Sequence, residues 1–306
     1  MGLFFKDYES SGRGISKNAP KKTGFKLFLD ILGRKFWQLA GLNFLYFLFF
    51  MPLLLSLTAI RYIPDPGIAL AVVCVLILTF MVTIGPATAG LVKVIRCYLI
   101  EKHTYVTRDF FKGFRNNFKK ASVIGFIDCL VALSAYAAVN VYPALAVQLG
   151  TNLMYVPMVI TYSFVLVVIM MNYYIYLMLV ATSLSLKNLI KNSFALSFVS
   201  IKTNIRITLL VVLILALFFP LLFFPPLLFT IMLFYPAAFI TYVVCFNSYP
   251  VIQKYVINPY YESIGQINPE LVGFEDENGE EPVFEDMGGK EQPIEKRKKG
   301  KGRRIS

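Results

Sequence analysis

The feature that most limits what this chain can fold into is the length of its apolar runs. Near-uninterrupted hydrophobic stretches cover about residues 36–60, 68–91, 121–147, 156–184 and 207–246. In helical form about 20 apolar residues cross the ~30 Å hydrocarbon core of a bilayer, whereas buried strands and ordinary core helices are shorter. Such a chain must be solvated by lipid, because one aqueous core cannot hold 57% hydrophobic residues arranged in this way. The expectation is an all-α, polytopic membrane helical bundle.

The last run, 207–246, is too long for one crossing. Pro225-Pro226 lies at its midpoint, where a helix cannot continue. Dividing it there gives about six transmembrane helices, with a re-entrant pair as the alternative. Charge placement tests the count. With the N-terminus inside, every Lys and Arg except Arg61 falls on one side, in segments 1–36, 91–121, 182–206 and 247–306. The expected topology has both termini cytoplasmic.

Three regions follow. Residues 1–35 form a polar, basic N-terminal segment whose part Gly24–Trp37 is expected as a short amphipathic helix at the interface, with no cleavable signal peptide before it. Residues 36–260 form the membrane domain. From 261 to 306 the composition turns acidic and then basic. Residues 262–295 hold eleven of the eighteen carboxylates, which reads as a disordered cytosolic tail.

Several chemistries are excluded. The net charge of +12 sits between and beyond the apolar runs, on no folded polar domain, so no nucleic-acid partner is expected. Cys74, Cys97, Cys129 and Cys245 show no C-x-x-C spacing, and His103 is the sole histidine, so neither a metal nor a cofactor site is expected. No phosphate-binding loop, nucleophile elbow or H-E-x-x-H motif occurs, and the chain does not read as an enzyme.

Three groups of residues remain as candidates. Gly85, Pro86, Ala89 and Gly90 place small residues four apart around a helix-bending proline, as a packing notch or as a hinge. Asp128 is the only carboxylate inside an expected span. It lies at a depth shared by Asn43, Thr83, Thr88 and Asn172, which suggests a polar layer that is either an interhelical hydrogen-bond layer or a polar, proton-linked site. Two basic loops carry apolar stripes. In the first, Phe110, Phe114 and Phe118 recur every four residues beside Lys112, Arg115 and Lys119, with Thr107 and Asp109 expected at the helix start. In the second, Leu186, Ile190, Phe194, Phe198 and Ile201 run beside Lys191. Both fit helices that anchor at the interface or dock a partner.

Three segments together resemble the YesL family of bacterial membrane proteins: Arg34-Lys35-Phe36-Trp37 with Leu42-Asn43-Phe44-Leu45-Tyr46, Gly85-Pro86-Ala87-Thr88-Ala89-Gly90, and Asp109–Lys120. The resemblance covers about residues 20–250. It implies a bacterial cell membrane protein of uncharacterised function, encoded beside carbohydrate uptake systems. A carbohydrate ABC transporter or its regulator would then be the partner in addition to the lipid bilayer. The expected function is a non-enzymatic accessory or scaffold component of carbohydrate uptake. The alternative is a transporter or permease subunit with a polar site around Asp128.

Overall fold

The computed structural model describes residues 23–218, 220, 223–224, 230–231, 235–266 and 268, and they are helical almost throughout. Helix α1 (Gly24–Phe47) passes through one 3-10 turn into α2 (Met51–Tyr62). A tight turn leads into α3 (Pro66–Leu99), where Asp65 caps the first turn by accepting from the Ile68 amide and Pro66 occupies a position needing no amide hydrogen. There follow α4 (Val106–Asn116), α5 (Phe118–Leu149), α6 (Tyr155–Ala181), α7 (Leu186–Val199), α8 (Ile201–Phe218) and α9 (Pro236–Ile252). A π-turn (Gln253–Ile257) joins α9 to the short α10 (Asn258–Ser263).

Among the described residues, five helical stretches are long and apolar enough to cross a membrane: Gly24–Tyr62, Pro66–Leu99, Phe118–Leu149, Asn152–Ala181 and Ile201–Phe218. The long apolar run does divide, into α8 and α9, while Pro225 and Pro226 themselves lie outside the described residues. α1 and α9 are antiparallel: Asn43 meets Ala238, and Phe28 meets Tyr242 and Phe246. Gly24 and Phe25 line the same cavity as Pro250 and Val251, so the described chain begins and ends at one end of the bundle. α8 and α9 therefore run out and back as a pair after the four preceding stretches.

The expected short interfacial helix at Gly24–Trp37 is not a separate element, and the boundary at residue 35 falls inside α1. Nothing in this stretch interrupts the helix, since Gly33 costs only a fraction of a kcal/mol to about 1 kcal/mol there and no proline occurs. Trp37, inside α1, is largely exposed. The tail boundary at 261 also shifts. α10 extends to Ser263, and the buried Asn268 donates to Asn258 Oδ1 at 2.9 Å. The rest of that tail, like residues 1–22, lies outside the described residues.

Burial is strongly uneven along the helices. α3 is 34 residues, about 51 Å at 1.5 Å per residue, and exceeds the ~30 Å hydrocarbon core. Eleven of its twelve buried residues lie between Gly85 and Tyr98, in the half that carries Lys93 and Arg96. In α6 every buried residue lies at or beyond Met170. The opposite halves expose Leu70, Val75, Leu78, Val159 and Ile160, apolar surface that only lipid solvates well. Polar contacts tie the packed end together. Arg34 bridges Asp30 and Glu101 at 2.9 and 2.7 Å, Lys120 Nζ donates to the Leu184 carbonyl at 2.7 Å, and Arg96 Nε donates to Tyr249 Oη at 3.3 Å.

Candidate functional site

The glycine element acts first on packing. A Cβ at Gly85 would lie 2.0 Å from the Ala121 carbonyl oxygen of α5, and one at Gly125 would lie 2.6 Å from the Gly85 backbone. Further along α3, a Cβ at Gly90 would meet the Phe110 carbonyl oxygen of α4 at 2.7 Å, and one at Gly113 the Gly90 Cα at 3.0 Å. Two glycine-on-glycine contacts thus press α3 against α5 and α4 with no room for a methyl group. Pro86 and Ala89 are buried beside them, and α3 continues unbroken through Pro86. The geometry is that of a packing notch on two faces of one helix.

Immediately beyond the Gly85–Gly125 contact lies a cavity of about 490 Å³ among α1, α3, α5, α6 and α9. Asp128 stands in its wall, one turn past Gly125. Its Oδ1 accepts from Asn172 Nδ2 at 2.7 Å and its Oδ2 accepts from Tyr176 Oη at 2.8 Å. Both partners are on α6, spaced four apart, so they present one face to α5. Across the cavity, Tyr46 Oη and Thr88 Oγ1 are 3.0 Å apart, and Thr88 also donates to its own helix at Ile84. Thr241 supplies a further hydroxyl from α9, bonded back to Ala237. Apolar side chains such as Phe80, Ile169 and Val244 complete the lining.

The expected polar layer is therefore partly assembled. Asp128, Asn172 and Thr88 share the cavity, but Asn43 and Thr83 do not line it. Asn43 is fully buried, and its Oδ1 accepts from the Ala238 amide at 2.9 Å. Ala238 is the third residue of α9, whose own N-cap Tyr235 makes no side-chain cap bond. Asn43 thus caps α9 from a different helix, because an orphan amide at a buried helix start needs an acceptor. Thr83 donates back to the Thr79 carbonyl of its own helix at 2.8 Å. Depth alone places these two in the layer, and helix rotation removes them from it.

Tyr46 and Tyr176 are not singled out by the sequence. Tyr46 is the one tyrosine of its apolar run and Tyr176 one of four in its own, and nothing short of the helix register separates a hydroxyl facing the cavity from one facing lipid. A second polar cluster escapes sequence reasoning for the same reason. Tyr174 Oη donates to Asn204 Oδ1, Asn204 Nδ2 donates to the Ser197 carbonyl at 2.8 Å, and Tyr173 Oη and Thr208 Oγ1 are 2.9 Å apart. This cluster fastens α6 to the α7–α8 corner.

The two stripe helices behave differently. α4 turns its aromatic face inward. Phe110 is fully buried, and Phe49 of the turn after α1 packs on Phe110 and Phe114 at ring distances of 5.8 and 5.1 Å. Phe118 belongs to α5, leaving Lys112, Arg115 and Lys119 on the outer side. Phe110 and Phe114 of the expected docking face are thus covered by the chain itself, while Phe118 and the neighbouring Phe111 stay exposed. The cap also differs, because Tyr105 is the N-cap residue and its amide donates to Asp109 Oδ2 at 3.0 Å, with Thr107 already inside the helix. α7 instead buries Leu189, Ser193, Leu196 and Ser197. The expected stripe faces outward, with Ile190 exposed, Phe194 and Phe198 about half exposed and in contact with each other, and Lys191 beside them.

Among the described residues no three of His, Cys, Asp and Glu are grouped to hold a metal ion. No curated protein and no solved structure matches the chain. Residues 39–139, from the second half of α1 into α5, match the family model described as "Protein of unknown function, DUF624", a third of the chain that contains both glycine contacts and Asp128 but neither Asn172 nor Tyr176.

Proposed function

We propose that this is a non-enzymatic membrane component of the YesL type, acting as an accessory or scaffold in bacterial carbohydrate uptake. The observation that carries this reading is the concentration of packing at the charge-bearing end. There α3 is held on two sides by glycine contacts, and both oxygens of the lone intramembrane carboxylate are already engaged by α6. A bundle locked at that end suits holding a partner more than alternating between two open states, which requires elements with two discrete packings. The link to carbohydrate uptake, to a bacterial membrane and to cytoplasmic termini rests on the family resemblance and on the one-sided placement of basic residues.

The cavity favours a second reading, a transporter or permease subunit. Its Asp128, Asn172 and hydroxyl lining is of the kind that marks substrate or ion pathways inside membranes. Two measurements on the same labelled carbohydrates separate the readings. Loss of the chain from cells should lower uptake of at least one of them, and vesicles containing the purified chain alone should move none. Vesicle uptake by the chain alone would establish the second reading, and undiminished uptake in cells lacking the chain would remove the first.

A further inference from the structure

A second cavity, independent of Asp128, opens over α9 between α1 and α8, with a volume of about 630 Å³. Its floor is one face of α9: Phe239, Val243, Phe246 and Pro250 recur at helical spacing. Phe25 and Phe28 of α1 form one wall, and Leu210 and Ile214 of α8 form the other. All the polar side chains of the lining come from the first turns of α8 and the later part of α9, namely Thr203, Arg206 and Asn247. The groove is thus apolar along its length and cationic at one end. That end is where the described chain begins and ends and where the bundle's charged contacts gather.

Arg206 is exposed, and among the described residues it makes no ion pair. A guanidinium at the margin of an apolar crevice between spans matches a phosphodiester with acyl chains on one side of it. The volume is in the range of small-ligand pockets. A free anion would leave the phenylalanine floor in contact with water. An uncharged helix would leave the guanidinium without a partner.

We propose that this groove is a binding site for an anionic phospholipid, with the headgroup phosphate on Arg206 and an acyl chain along the α9 floor. The site fixes one lipid against α1, α8 and α9.

Native mass spectrometry of the full chain in detergent, titrated with phosphatidylglycerol and with phosphatidylcholine of the same acyl chains, tests this. The wild type should bind one phosphatidylglycerol in preference to phosphatidylcholine. Arg206→Gln should weaken phosphatidylglycerol about fivefold, the effect of one basic group at a membrane surface, and leave phosphatidylcholine unchanged. Val243→Trp, which fills the floor and keeps the charge, should weaken both lipids. Lys187→Gln removes the same charge from α7, outside the groove, and should match the wild type. The proposal is overturned if Arg206→Gln binds like the wild type or if Lys187→Gln weakens binding as much. Competition by glycerol phosphate as strong as by the whole lipid would also overturn it, as would a dimer whose groove no lipid enters. Arg206 is exposed, so its variant should fold and carry the test if the tryptophan variant does not.

Discussion

Adding one methyl group at Gly85 should loosen the packed end of the bundle. A Cβ there would sit 2.0 Å from the Ala121 carbonyl oxygen and 2.8 Å from the carbonyl carbon, where real Cβ contacts stay beyond 3.0 Å. Both atoms are α5 backbone, so no side chain can swing away and α5 must retreat by about 1 Å. That retreat opens the Gly85–Gly125 contact and moves Asp128, one turn further on. Overpacking of this kind costs about 1–3 kcal/mol. Gly33 provides the opposite case: it lies inside α1, and a Cβ there would meet nothing within 4 Å. Gly33→Ala should therefore be neutral or stabilise by up to about 1 kcal/mol, from reduced backbone freedom and better helix propensity. Thermal unfolding of the purified chain in detergent reads both. Gly85→Ala should melt below the wild type and Gly33→Ala at or above it. If Gly85→Ala melts with the wild type, the close approach of α3 and α5 is not what holds this end together.

Asn43→Ala should destabilise by about 0.5–2 kcal/mol in the same assay, because it uncaps α9 from across the bundle and leaves the Ala238 amide without its acceptor. Asp128→Leu should cost about 0.6–2 kcal/mol through the two hydrogen bonds lost to Asn172 and Tyr176. An unchanged melting temperature would mean that water already satisfies these groups. In whole cells, a single cysteine at residue 150 should be labelled from outside, and one introduced after residue 268 should not. The reverse pattern would invert the topology read from the basic residues.

The crossings were legible because hydrocarbon thickness imposes a length that composition reveals directly. The glycine element was legible as well, since small residues four apart on a membrane helix leave few uses other than close approach. Two other features were not. Asn43 and Asp128 lie at similar sequence depth in their runs, yet one caps a helix start 195 residues away and the other bonds to α6. Depth follows from counting residues, but partners follow from helix rotation, which the apolar pattern leaves free when every face is hydrophobic. The α4 and α7 stripes look alike in sequence for a related reason. Whether an aromatic face turns to lipid or to protein depends on what the rest of the chain presents, here Phe49 and Gly90 for α4, whereas Phe194 and Phe198 stay about half exposed.

On the proposed function, Asp128 is a hydrogen-bonding node in a scaffold and carries no proton or substrate. Asp128→Asn removes the charge and keeps the geometry, since the amide oxygen still accepts from Asn172 and its NH₂ can donate to the Tyr176 hydroxyl. The direct measurement is uptake of labelled carbohydrate by cells lacking the native chain and supplied with this variant, at matched membrane levels. Uptake should equal that with the wild-type chain. Loss of uptake with an unchanged melting temperature would contradict that reading and assign the charge of Asp128 to transport.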